Sequence, residues 1–272
     1  MQLSTALSVL RNRAAVAAEL RRLLPKMEGV RTTKPIPFGL AAIDRCLPQG
    51  GLSGAALHEI VPDEAATPAA FGFLVALLAR LTPLPIPPPQ GGRKPINRQP
   101  VILVLPTYGL RDYGRPHSHG ICVLGLDPRR LLLVETAHRK DTLWAMEEAL
   151  RSGAPAAVAG IIDQFDLKTS QRLQLAAMDA GLPLFVLRPA QQLESSAAAT
   201  RWRVAAAPAA RDRFGLFAHA RWRLTLERCR NGRAGEWMVE YDHVAHRFSL
   251  AAALADPAFS RDTGEKALRQ AC

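Results

Sequence analysis

The chain has 272 residues, 48% of them hydrophobic, which is enough to bury a core as one domain with appendages or as two small domains. Its net charge of +11 makes a polyanion partner plausible, although an Arg-, Ala- and Pro-rich composition also fits a GC-rich genome. No apolar run approaches the roughly 18 residues that a membrane-spanning helix needs. We therefore exclude an integral membrane protein and expect a soluble, cytoplasmic one.

The four cysteines are widely separated and form no C-x-x-C pair. They are Cys46, Cys122, Cys229 and Cys272. This spacing fits neither a zinc site nor a disulfide framework. We expect reduced thiols in the cytosol.

Residues 1–34 place leucines and alanines three or four apart and carry seven basic residues against two acidic ones, which predicts a basic amphipathic helix followed by a linker. The arginines are spread through the pattern, so this is not a secretory signal; a mitochondrial transit peptide is the alternative. The helix could dock on its own core or on a partner. Pro35 and Pro37 mark the joint to a core that we expect to span residues 35–250.

The central unit of the core is a strand over residues 56–61, a turn over residues 62–68 and an apolar helix over residues 69–81. In P-loop proteins, the same unit holds phosphate with backbone N–H groups and a Lys at the helix N-terminus. Here the turn contains no Gly and no Lys, and it carries the carboxylates of Asp63 and Glu64. Pro62 and Pro68 also remove two backbone donors. The turn lacks the chemistry of a phosphate loop.

Four short apolar runs predict buried strands of a parallel sheet, over residues 101–105, 130–134, 156–162 and 184–187. Helices are predicted between them, one over residues 142–151 capped by Asp141 and one from the cap Ser170 to Gly181. Residues 83–100 hold seven prolines and predict a surface insertion loop. The fold class is α/β, with a mostly parallel sheet flanked by helices.

After residue 200 the hydrophobic period changes to two. Strands are predicted over residues 201–206, 221–228, 236–241 and 245–250, with Asn231 and Gly232 in a hairpin-type turn. This pattern indicates an antiparallel β-meander appended to the parallel sheet. Residues 251–272 lose the pattern and are predicted to form a flexible tail.

Two sets of arginines are candidate nucleic-acid contacts. Arg201-Trp202-Arg203 and Arg221-Trp222-Arg223 repeat a cation, aromatic, cation order; on strands the two arginines share one face and the Trp points to the other. The loop after residue 106 adds Arg111 and Arg115, near Tyr108 and Tyr113, in a mixture typical of single-strand binders. The alternative is that these side chains are ordinary solvated surface.

Three other groups of polar residues were considered as metal ligands or as a titrating pair, and each has an ordinary structural explanation. Asp163 ends a buried strand, where a P-loop enzyme places its magnesium ligand, but such an Asp is more often a turn or cap residue. His117 and His119 have no acidic or thiol neighbour to complete a metal shell. Alternation puts His58 and Glu59 on opposite faces of their strand, so they are not expected to pair.

Several spaced motifs lie along residues 25–250: Phe38-Gly39-Leu40 with Ile43-Asp44, Gly50-Gly51-Leu52, the stretch from Gly54 to Glu59, Gly125-Leu126-Asp127-Pro128, residues 143–153, residues 172–177, residues 199–203, Arg221-Trp222-Arg223 and Gly235-Glu236-Trp237. In this order they resemble the RecA-like superfamily and, within it, the ImuA family of damage-inducible mutagenesis accessory proteins, some of which are labelled as related to the SulA cell-division inhibitor.

The resemblance implies a RecA relative without ATPase activity, because the phosphate loop is replaced and the first strand after it ends in Pro106-Thr107, where an active relative has its catalytic Glu. It implies no cofactor and action by binding, in SOS-induced error-prone translesion DNA synthesis. The implied partners are an inactive Y-family polymerase-like protein of the ImuB type, the alpha subunit of an error-prone C-family polymerase, RecA and, in one interpretation, DNA. The alternatives are an ATP-binding enzyme with an unconventional phosphate loop and a basic single-stranded-DNA-binding module.

Overall fold

The structure, a computed structural model, describes residues 34–63, 66–82, 99–107, 114–190, 195–211 and 214–251. The predictions for the N-terminal helix, for most of the Pro-rich insertion and for nearly all of the tail lie outside these residues. Among the described helices, none is both long and apolar enough to cross a membrane.

The described chain forms nine strands and five α-helices. In chain order they are α1 (Ala41–Asp44), β1 (Leu57–Pro62), α2 (Thr67–Leu81), β2 (Val101–Pro106), α3 (Ser118–Val123), β3 (Leu131–Thr136), α4 (Arg139–Arg151), β4 (Ala157–Ile161), α5 (Leu167–Ala180), β5 (Leu184–Leu187), β6 (Thr200–Arg211), β7 (Phe217–Cys229), β8 (Gly235–Asp242) and β9 (Arg247–Leu250).

All nine strands belong to one sheet, in the order β3-β2-β4-β5-β1-β6-β7-β8-β9. The pairs from β3 to β6 are parallel, and those from β6 to β9 are antiparallel. Strand β1 therefore lies inside the sheet, and the meander is continuous with the parallel part through the β1–β6 pair. This α/β architecture is the RecA-like fold that the motifs imply.

Two hydrophobic clusters pack on the two faces of the sheet. The α2 face holds Phe73, Trp202 and Trp222 in one aromatic core, with Phe38 packing 5.0 Å from Trp202 between ring centroids. The opposite face packs Met146 of α4 and Leu173 of α5 against β4 and β5. Helices α4 and α5 pack on the parallel strands, and α2 packs on β1, β5 and β6.

Both predicted helix caps were wrong. Helix α4 begins at Arg139 after His138, which leaves Asp141 inside the first turn. Helix α5 begins after Asp166, whose carboxylate accepts a hydrogen bond from the Thr169 N–H at 2.8 Å. Ser170 lies inside that helix and donates to the Leu167 carbonyl instead. The predicted end at Gly181 is confirmed, with φ of 67°.

The predicted burial of strand β3 was also wrong. Its apolar run predicts burial on both faces, but β3 is the outermost strand of the sheet and Leu132 is 53% exposed. The meander strands β6 and β7 are also longer than predicted, since Arg211 and Phe217 still pair with each other at the far end of the hairpin.

Candidate functional site

The turn after β1 occupies the position of a phosphate loop. Strand β1 ends at Pro62 between β5 and β6, and α2 begins at Thr67 with Pro68 in its first turn. In open α/β sheets, ligands bind at this carboxyl end of the strands. The predicted strand, turn and helix are therefore confirmed, with Glu64 and Ala65 outside the described residues.

Several described groups of this turn make contacts within the protein. The Asp63 N–H donates to the Val204 carbonyl of β6 at 2.8 Å, and the Ala66 N–H donates to the Asp63 carbonyl at 2.9 Å. The Asp63 carboxylate lies 3.3 Å from the Arg223 guanidinium of β7. A phosphate at this turn would be repelled by the Asp63 carboxylate and would find no N–H donor on either proline. It would also have to displace the two carbonyl oxygens to which the Asp63 and Ala66 N–H groups already donate.

In the described residues, no Glu ends β2, and the Asp that follows β4 makes a local contact. Strand β2 ends in Pro106 and the exposed Thr107. After β4, the Asp163 carboxylate accepts a hydrogen bond from the Gln164 N–H at 2.8 Å, which is the behaviour of a turn residue. Among the described side chains, no three His, Cys, Asp or Glu residues are arranged to hold a metal ion.

A buried ion cluster lies beside this turn, and sequence reasoning missed it. Glu59 of β1 is fully buried; its carboxylate lies 3.2 Å from the Arg188 guanidinium after β5 and 2.6 Å from Arg201 Nε of β6. Arg188 also packs over the Phe165 ring, 5.5 Å from its centroid. The available signal was a Glu within an apolar strand, because a buried carboxylate requires a cationic partner.

His58 faces the other side of β1, as alternation predicts. Its Nδ1 lies 2.8 Å from the Thr200 hydroxyl and its Nε2 lies 2.9 Å from the Ser53 carbonyl. A carbonyl only accepts, so Nε2 carries a proton. Desolvation lowers the pKa of His58 to about 4, despite the opposing effect of the bond to Ser53.

The predicted hairpin arginines share the sheet face opposite the buried Trp202 and Trp222. Each has a carboxylate partner there. Arg203 pairs with Glu227, Arg221 donates to Glu240 at 2.6 Å, Arg223 contacts Asp63, and Arg201 contacts Glu59. The predicted side-chain alternation is confirmed. Their role in nucleic-acid binding stays a prediction, with their charges already compensated inside the protein.

The second predicted set is only partly described. Arg115 precedes α3, and its Nε lies 2.6 Å from Glu135 of β3. Arg111, Tyr108 and Tyr113 lie outside the described residues. His117 and His119 are exposed at the start of α3. Among these predicted loop contacts, the structure thus locates only Arg115, at the outer edge of the sheet and away from the hairpin arginines.

Comparison with known proteins gives the family. No protein-family model matches the chain. The chain is 34% identical over 249 residues to Protein ImuA in each of two strains of Caulobacter vibrioides, an alignment that covers 84% of this chain and 93% of the relative. The chain belongs to the ImuA family.

Proposed function

We propose that this protein is a non-catalytic accessory protein in SOS-induced, error-prone translesion DNA synthesis. The observation that carries the proposal is the turn after β1, where the Asp63 carboxylate, its bond to Arg223 and two prolines stand where a P-loop protein grips phosphate. Membership of the ImuA family supports a role in damage-inducible mutagenesis. The RecA-like framework then serves as a scaffold whose surfaces bind other proteins.

The partners we propose are those that the family resemblance implies. They are an inactive Y-family polymerase-like protein of the ImuB type, the alpha subunit of an error-prone C-family polymerase, and RecA, in the cytoplasm. An adaptor needs a rigid core and exposed binding surfaces, and it needs no cofactor. The long β6–β7 hairpin is compatible with this role.

Thermal unfolding with magnesium-ATP tests the non-catalytic part of the proposal. We expect the Tm to change by less than about 1 °C at millimolar ATP, because a ligand that does not bind the folded state cannot stabilise it. An ATP-binding RecA protein measured in parallel controls for the nucleotide and the metal. Clear stabilisation that is lost in Asp163→Ala would overturn the proposal.

One observation favours the ATP-binding alternative enough to test it separately. An unconventional phosphate site needs a cation from elsewhere in the chain, and Arg223 of β7 reaches the turn, with its side chain 51% exposed. Asp63 holds that cation in the structure. If Asp63→Asn frees Arg223 and produces ATP-dependent stabilisation that Asp63→Asn/Arg223→Ala lacks, Arg223 is a latent phosphate ligand; no shift in either variant removes this alternative.

A further inference from the structure

The turn between β7 and β8 carries a group of arginines. Arg228 lies near the end of β7, and Arg230 and Arg233 lie in the turn that follows, with no acidic residue between them. The Arg233 N–H donates to the Cys46 carbonyl at 2.9 Å, which brings Arg45, the residue after α1, beside this turn. We call Arg45, Arg228, Arg230 and Arg233, all of them exposed, the β7–β8 arginine patch.

A close contact at Gly232 holds the turn against the segment that follows α1. A Cβ on Gly232 would lie 2.5 Å from the Cys46 carbonyl oxygen and closer still to Cys229 Sγ. Such a separation is far shorter than a van der Waals contact, so the two backbones approach each other in this way only because residue 232 is a glycine. The contact keeps Arg45 and the arginines of the turn on one part of the surface.

The patch differs from the hairpin arginines in the partners of its side chains. The Arg228 guanidinium donates to the Ser196 carbonyl. The Arg230 guanidinium donates to the next carbonyl, that of Ala197, at 3.0 Å. A carbonyl holds a guanidinium in place and leaves its charge uncompensated. In the part of the chain that the structure describes, no carboxylate lies within 4 Å of any guanidinium of the patch.

The acidic residues nearest to the patch in sequence make other contacts. The Asp44 carboxylate accepts hydrogen bonds from two backbone N–H groups of the chain before α1, at 2.7 and 3.0 Å. Glu227 pairs with Arg203 across the hairpin. Glu236 lies 3.9 Å from Arg223. The four cations of the patch therefore keep their charge at the surface, in contrast to the hairpin arginines.

The side chains around the patch indicate the kind of partner it fits. None of the exposed large apolar side chains of the described chain lies at residues 44–51 or 228–235, whereas the centre of a protein–protein interface is typically apolar and aromatic. These two stretches also contain no aromatic residue on which a base could stack. Guanidinium groups remain, and they bind phosphate through pairs of N–H donors. Phosphate contacts carry no information about base sequence.

We propose that the β7–β8 arginine patch binds the phosphate backbone of DNA, independently of base sequence. This inference goes beyond the proposed function, because an adaptor that acts only through proteins needs no contact with DNA. Binding of this kind releases counterions from the nucleic acid, so its affinity falls as the salt concentration rises.

Fluorescence anisotropy of the full chain with an oligo(dT) strand and with a duplex of mixed sequence tests the patch. We expect Arg45→Gln/Arg230→Gln/Arg233→Gln to weaken the Kd for both by about tenfold or more at about 50 mM salt, with a shallower salt slope. Arg203→Gln/Arg221→Gln/Arg223→Gln is the matched control. It removes the same number of charges, but each of its arginines is paired with a carboxylate, so we expect a Kd within about threefold of the wild type.

A charge-preserving variant separates the role of the patch in binding from a role in folding. We expect Arg45→Lys/Arg230→Lys/Arg233→Lys to bind within about threefold of the wild type, because it keeps the three positive charges. A wild type that binds neither nucleic acid, equal losses in the two Gln variants, or a Lys variant as weak as its Gln counterpart would each overturn the inference. A loss confined to oligo(dT) would also overturn it, since both nucleic acids present phosphates. The adaptor function would stand in each case, because it does not depend on DNA.

Discussion

Glu59 and Arg188 form an ion pair in which both side chains are completely buried, with 3.2 Å between the carboxylate and the guanidinium. Arg201, only 12% exposed, binds the second carboxylate oxygen at 2.6 Å. These contacts join β1, β5 and β6 just before the turn that replaces the phosphate loop. The carboxylate thus compensates two cations at the centre of the sheet.

We expect Glu59→Gln to destabilise the protein by about 3–5 kcal/mol, because it removes the carboxylate that compensates the buried guanidinium charge of Arg188. Urea unfolding followed by circular dichroism measures the change. Glu236→Gln is the control. The Glu236 carboxylate is 60% exposed and lies 3.9 Å from Arg223 Nε, so we expect removal of its charge to cost less than about 1 kcal/mol. Equal midpoints for Glu59→Gln and the wild type would show that the cluster contributes nothing.

The lowered pKa of His58 predicts that the stability of the fold depends on pH. Its pKa of about 4 in the folded state lies below its ordinary value of 6.5, so between these values the unfolded chain binds a proton that the folded chain does not. Stability therefore falls as the pH is lowered from 6.5 to 4, by up to about 3 kcal/mol from this group.

Unfolding free energies at several pH values in this window test the role of His58. We expect the slope to flatten in His58→Gln, which cannot take up the proton, and to persist in His117→Gln, whose ring is exposed. Titrating carboxylates contribute equally to all three proteins, so the difference between the curves isolates the His58 ring. Parallel curves for the wild type and His58→Gln would contradict the assignment.

The pairing of the hairpin arginines with carboxylates predicts that they contribute little to the affinity for DNA. Because Arg201, Arg203, Arg221 and Arg223 each contact a carboxylate, we expect their joint replacement by Gln to change the affinity for an oligo(dT) strand by less than about threefold at low salt. Fluorescence anisotropy at 50 and 200 mM salt measures the affinity and its salt slope. A loss of tenfold or more with a shallower slope would restore the hairpin face as a phosphate-binding surface.

Gly125 links the loop after α3 to the meander. It has a φ of 86°, and a Cβ there would lie 2.7 Å from the Tyr241 hydroxyl oxygen and 2.9 Å from His246 Nδ1. We expect Gly125→Ala to destabilise by roughly 2–4 kcal/mol, from backbone strain and overpacking together. Gly120→Ala is the control, since a Cβ there meets nothing within 4 Å. Thermal unfolding that left Gly125→Ala no less stable than Gly120→Ala would refute this packing.

The parallel strands were predictable because strands covered on both faces are continuous apolar runs, as in residues 101–105 and 184–187. Strand β3 has the same local pattern but lies at the edge, and edge position depends on strand order, which no local pattern contains. The caps failed because other polar residues precede both candidates: helix α4 begins after His138, and helix α5 begins after Asp166, whose carboxylate caps it.

The contacts around the candidate site were harder to predict than the strands. Glu59 and Arg188 are 129 positions apart, and Asp63 and Arg223 are 160 apart. Each pair forms only when strand order brings β5 and β7 to the end of β1. The departure of the turn from a phosphate loop could be predicted, because the absence of Gly and Lys is visible in the local sequence of residues 62–68.

The pairing of β6 with β1 makes the meander inseparable from the rest of the fold. A chain ending before Thr200 would expose the backbone hydrogen-bonding groups of β1 to water, and α2 would lose Trp202 and Trp222, against which it packs. Fragments of this protein are therefore expected to aggregate instead of reporting on one surface at a time. Point substitutions in the intact chain are the means to separate its binding activities.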